Sequence, residues 1–109
     1  MLRYNLHVGV VLEMINKIES SIKDKNKFLG DEELQDATLM RLQVIGENIK
    51  KIPSEVKRRN KEFKWKKFGR LRDIISHKYK FINYEIIWSF IKENLPELKE
   101  IMVKLKNDK

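Results

Sequence analysis

The stretch DEELQDATLMRLQVIGENIKKIP, residues 31–53, decides the fold. Asp31 is a favoured N-cap residue, and Glu32 and Glu33 follow it where a helix N-terminus attracts negative charge. Leu34, Thr38, Leu42, Ile45, Ile49 and Ile52 then recur three or four residues apart, which stacks them on one face of a helix. Pro53 stops that helix, because the residue before a proline avoids helical geometry. Gly30, just upstream, reads as a loop.

The same period extends in both directions. Val8, Val11, Ile15, Ile18 and Ile22 place a helix over roughly the first two dozen residues. Residues 53–64 read as a turn or two, with Lys57-Arg58-Arg59 as solvated surface. A third long helix is expected to start near Phe63 to Trp65 and to carry Phe68, Leu71, Ile75 and Tyr79. Residues 80–82 read as a connection. Asn83 is the expected N-cap of a last helix bearing Ile87, Ile91, Leu95, Leu98, Met102 and Leu105. Pro96 falls inside that pattern and is expected to kink or split it. The polar tail from Lys104 to Lys109 is expected to fray. No segment alternates with period two, so no sheet is expected. The expected fold is a single all-α domain over residues 1–109, an up-and-down bundle of four to five helices.

Composition narrows the function. A chain of 109 residues fits one domain, and 41% hydrophobic residues is too many for a disordered chain. With no cysteine there is no disulfide, thiol nucleophile or cysteine zinc site. The two histidines, His7 and His77, lie far apart in sequence, so neither a metal nor another cofactor is expected. Lys and Arg total 24 against 16 Asp and Glu, a net charge of +8 that suits a polyanionic partner or simply keeps the chain soluble. The N-terminus lacks a signal pattern, and Glu13 ends the apolar run Val8–Leu12 far short of a membrane span. The expectation is a cytoplasmic protein without a membrane partner.

One polar patch interrupts an apolar helix: Arg70-Leu71-Arg72-Asp73-Ile74-Ile75-Ser76-His77-Lys78-Tyr79. Asp73 and His77 are four apart and share a face, where a carboxylate can fix an imidazole tautomer. Arg72, Ser76 and Tyr79 form the neighbouring row. Arg72 and His77 are five apart, roughly 140° around an ideal helix, so one straight helix does not aim both at one atom. Two copies across a two-fold axis can do so, as can a helix that ends near His77. The chemistry available is metal-free RNA cleavage. His can take the proton of a ribose 2′-hydroxyl or protonate the leaving oxygen, and Arg can stabilise the phosphorane. The plain alternative is a surface histidine beside weak ion pairs. His7 reads as structural or exposed. Glu47 faces the cleft, a subunit interface or solvent. Trp65 and Trp88 read as core or interface.

Arg72, His77 and Tyr79 together spell R-x4-H-x-Y. Around them stand Gln43-Val44-Ile45-Gly46-Glu47, Phe63-Lys64-Trp65, Ile86-Ile87-Trp88 and Asn94-Leu95-Pro96-Glu97-Leu98. This ordered set resembles the HepT-like toxins of the HEPN superfamily, from about residue 31 to the end. The resemblance implies an all-helical homodimer whose paired R-x4-H motifs form a metal-independent ribonuclease site. It implies the toxin of a toxin–antitoxin pair, silenced by an MntA-like nucleotidyltransferase that transfers AMP to the motif tyrosine. Carried across, Arg72 and His77 are catalytic, Asp73 and Ser76 supporting, and Tyr79 the modified residue. Asp73 stands where the family more often has Asn. The segment Lys61 to Lys67 is more basic and less proline-rich than is usual. Lys64, Lys66, Lys67, Arg70 and Lys78 are the expected RNA contacts. Two alternatives lack catalysis: a helical module that binds a nucleotidyltransferase, and a basic nucleic-acid-binding domain.

Overall fold

The computed structural model describes residues 4–78 and 81–107, apart from the side chains at positions 77 and 78. Among the described residues there is no strand, and six helices follow one another: α1 (Asn5–Ser21), α2 (Lys25–Leu29), α3 (Glu32–Lys50), α4 (Ser54–Arg59), α5 (Trp65–Lys78) and α6 (Tyr84–Asn107). Four are long and form the expected bundle, while α2 and α4 are single short turns of helix. No helix among the described residues is long and apolar enough to cross a membrane.

The predicted stripes are the core. Val8, Val11, Ile15 and Ile18 of α1 are fully buried, and Ile22 continues the row just past the helix end. Leu42, Ile45 and Ile49 of α3 face them, and α3 packs against both α1 and α5. The last helix, α6, lies along α1 and meets α5 where the Phe68 and Phe90 rings stand edge to face, 5.1 Å apart. Caps hold the register. Asp31 Oδ1 accepts from the Leu34 backbone N–H at 3.0 Å, as its position in the sequence predicts. Asn83 Oδ1 does the same for the Glu85 N–H at 2.9 Å.

Pro96 does not split α6, which runs unbroken from Tyr84 to Asn107. An interior proline costs about 3 kcal/mol. Leu95, Leu98, Ile101, Met102 and Leu105 are all buried around it, each contributing about 1.5–3 kcal/mol. Pro96 itself is exposed, as is Lys92, so the carbonyl freed by the missing N–H lies on the watered side of the helix.

Candidate active site

The helices α3 and α5 touch at Gly46. A Cβ placed there would lie 2.8 Å from Arg72 Cβ, and 3.3 Å from both Arg72 Cγ and the Phe68 carbonyl oxygen. Only a residue without a side chain lets Arg72 pass at this level. The stem of Arg72 is therefore clamped, and 29% of the side chain is left exposed. Its Nε is buried without a hydrogen-bond partner among the described residues, a loss of about 1–3 kcal/mol. The two terminal nitrogens reach carboxylates instead. Nη2 lies 3.5 Å from Glu47 Oε1, and Nη1 lies 3.4 Å from Asp73 Oδ1. Both carboxylates are well exposed, 48% and 66%, so these pairs are weak and can be exchanged for another anion.

Asp73 thus has Arg72 as its partner among the described residues. Ser76 Oγ accepts a hydrogen bond from Gln43 Nε2 at 3.1 Å, a second polar link between α3 and α5. His77 belongs to α5 by its backbone. Its side chain, that of Lys78, and the whole of Tyr79 lie outside the described residues. His7 is structural: its Nδ1 lies 2.9 Å from Asn48 Oδ1.

Beside Arg72 opens a groove of about 950 Å³ between the end of α3, α4, the connection that follows it and the first turns of α5. Nine cationic side chains line it against one carboxylate, Asp73, among the described residues. Lys64, Lys66, Lys67 and Arg70, expected as RNA contacts, all lie on it. Lys67 Nζ also donates to Asn94 Oδ1 of α6 at 3.2 Å. Trp65 forms part of the floor. Its Nε1 donates to the Asn60 carbonyl at 3.1 Å, and Phe63 stands edge-on to it at 4.8 Å. Trp65 packs against the core on one side and lines the groove on the other.

In the run Lys57-Arg58-Arg59, Arg58 and Arg59 are exposed, as the sequence reading has them, while Lys57 is only partly so; Lys57 and Arg58 line the groove. Lys57 is half-buried, with Nζ 5.9 Å from the centre of the Trp65 ring, and desolvation pushes its pKa below the usual lysine value. The signal lay in the spacing of Val56 and Asn60. Both are buried, which fixes the roll of α4 and turns its next residue toward α5. Gly46 was legible only as part of a motif, because its purpose is the distance to another helix.

Comparison with known proteins identifies a family. Residues 11–105 match the family described as ribonuclease HepT-like. The chain is 32% identical over 99 residues to "Probable ribonuclease HepT" of Thermococcus cleftensis, covering 91% of this chain and 89% of that protein. It is 35% identical over 102 residues to a Methanocaldococcus jannaschii protein named "Gamma-glutamylcyclotransferase and putative RNase". That match covers 92% of this chain but only 46% of the longer relative. No solved structure matches the chain.

Proposed function

The chain belongs to the HepT-like ribonuclease family, and on that premise we propose that it cuts RNA at a site built from Arg72 and His77. The reaction is an internal transfer at phosphorus. His77 takes the proton of the ribose 2′-hydroxyl, O2′ bonds to phosphorus, and the bond to O5′ breaks as that oxygen gains a proton. The products are a 2′,3′-cyclic phosphate and a free 5′-hydroxyl. Arg72 neutralises the extra charge on the phosphorane. DNA, lacking the 2′-hydroxyl, is not cut by this route.

The observation that carries this reading is the state of Arg72. Its stem is clamped against Gly46, its Nε is turned inward, and its two terminal nitrogens sit at the edge of a cationic groove. The carboxylates that hold them now are exposed enough for a phosphate to replace. A homodimer supplies the missing alignment, since Arg72 and His77 are far apart around one helix but can meet across a two-fold axis. One imidazole then takes the 2′ proton while its counterpart donates to O5′.

The finer reading is that the protein is the toxin of a pair. Its partner is an MntA-like nucleotidyltransferase that transfers AMP to Tyr79, placing an anion where Arg72 receives phosphate. The test is induced expression of wild type beside His77→Ala at matched levels. Arrest by wild type alone supports a catalytic toxin, and equal arrest by both contradicts it. Co-expression with the partner should add AMP mass to Tyr79 and restore growth. Tyr79→Phe should stay toxic under the same conditions, and its neutralisation would refute the modification.

A further inference from the structure

Of the six described lysines that line the groove, Lys57 alone is half-buried; Lys50, Lys61, Lys64, Lys66 and Lys67 are exposed. Its backbone is pinned. Val56 before it and Asn60 after it are both buried. Asn60 Nδ2 donates to the Val56 carbonyl at 2.8 Å, and Asn60 Oδ1 accepts from Lys104 Nζ of α6 at 2.9 Å. The Asn60 backbone N–H donates to the Lys57 carbonyl at 3.1 Å. From this anchor the Lys57 stem runs toward Trp65, whose ring centre is 5.9 Å from Nζ, the outer limit of a cation–π contact. Among the described residues no carboxylate lies within 4 Å of Nζ, and the one carboxylate on the groove, Asp73, is taken by Arg72 at 3.4 Å. A lysine that is desolvated beside other cations and has no counter-ion is held toward its neutral, nucleophilic form. Burial acts in that direction here, lowering the pKa of Lys57. The surrounding cations also draw small anions into the groove. The groove is open at Gly69, where a Cβ would meet nothing within 4 Å.

We propose that Lys57 is a nucleophilic lysine, acylated on Nζ by small acyl phosphates that the neighbouring cations hold in the groove. The Nζ lone pair bonds to the acyl carbon. The bond from that carbon to the phosphate oxygen breaks, and inorganic phosphate leaves with the electron pair. The proton shed by the nitrogen passes to water. The product is a neutral amide, so the groove loses one of its nine cations. The charge beside Arg72 then follows the supply of activated acyl groups. The reaction needs no RNA and holds whether or not the chain cuts it. Exposure alone would make Lys57 the slowest of the six lysines on the groove, so the two explanations predict opposite orders.

The test is incubation of the full-length folded protein with acetyl phosphate near neutral pH, each lysine being followed in time by peptide mass spectrometry. Lys57 should be acetylated first. A gain of about tenfold in neutral amine, offset by about threefold in nucleophilicity at a Brønsted slope of about 0.5, as for thiols, leaves it about threefold faster than an ordinary lysine. Retention of the donor by the groove adds to that lead. The neutral reagent acetylimidazole, which the cations do not hold, should therefore show a smaller preference for Lys57. Unfolding in urea should erase the preference, and Lys57→Arg should remove the fast phase of mass gain in the intact protein. An order that follows exposure, with Lys57 last, overturns the proposal. So does a lead that survives unfolding, which would assign it to the local sequence, or a fast phase that persists in Lys57→Arg. An equal lead with acetylimidazole overturns the part given to the cations of the groove.

Discussion

Replacing Gly46 with alanine places a methyl carbon 2.8 Å from Arg72 Cβ. Ordinary carbon–carbon contact begins at about 3.5 Å, so the two helices must part by about 0.7 Å at that level. Arg72 Cβ is fixed to the backbone of α5, and the Phe68 carbonyl oxygen at 3.3 Å is backbone itself, so no flexible side chain can yield instead. Overpacking of this kind costs about 1–3 kcal/mol, and the gain in helix propensity returns about 1 kcal/mol. The net loss is about 1 kcal/mol, or a fall of about 4 °C in melting temperature. Activity should suffer more than stability. A displacement near 1 Å at a catalytic group can cost about a hundredfold in rate, and here the displaced group is Arg72. The assay is thermal unfolding beside RNA cleavage, with Gly69→Ala on the facing helix as the internal control. One glycine-to-alanine change should lower the melting temperature and the other should raise it. If Gly46→Ala is as stable as Gly69→Ala and cuts RNA at the wild-type rate, the clamp on Arg72 is refuted.

Other expectations are simpler. Glu47→Gln removes a competitor for Arg72 but only an exposed pair, so melting should change by less than about 2 °C while RNA affinity rises; a large stability loss would contradict the pairing as described. Asp31→Ala removes the cap on the Leu34 N–H and should cost about 1 kcal/mol in chemical denaturation, with no effect on RNA affinity. Lys57 should titrate below the usual lysine value when followed by NMR. Burial favours its neutral form, so a bound phosphate must raise its pKa, and its share of RNA binding is lost as pH climbs through its own value. A Lys57 that titrates at or above the usual lysine value would remove the desolvation on which this rests.

The helices were legible because each carries a long apolar row. Val8 to Ile22 and Ile87 to Leu105 are buried where their spacing puts them, and Asp31 and Asn83 cap where their positions say. The short helix α2 was not legible, since five residues cannot show a period, although Asp24 Oδ2 caps it through the Lys27 N–H at 3.3 Å. Pro96 does not split α6, because the local rule is outweighed there by the buried residues on either side of it. In the site, Arg72 and its neighbour Asp73 could be picked from spacing and resemblance. Of the groove, Lys64, Lys66, Lys67 and Arg70 could be picked in the same way, but not the α4 wall that faces them. The groove is made where Lys57 and Arg58 of α4 come to face Lys66 and Arg70 of α5, and that juxtaposition exists only once Val56 and Phe68 have been buried.

The central claim is that Arg72 and His77 cut RNA without a metal. The most direct measurement is incubation of the purified protein with natural RNA, with and without a strong chelator, followed by chemical identification of the new ends. The account predicts 2′,3′-cyclic phosphates and free 5′-hydroxyls, a rate indifferent to the chelator, and a loss of about a hundredfold or more in His77→Ala and Arg72→Ala. Cleavage that persists in both variants, or that stops with the chelator and leaves 5′-phosphates, would contradict it.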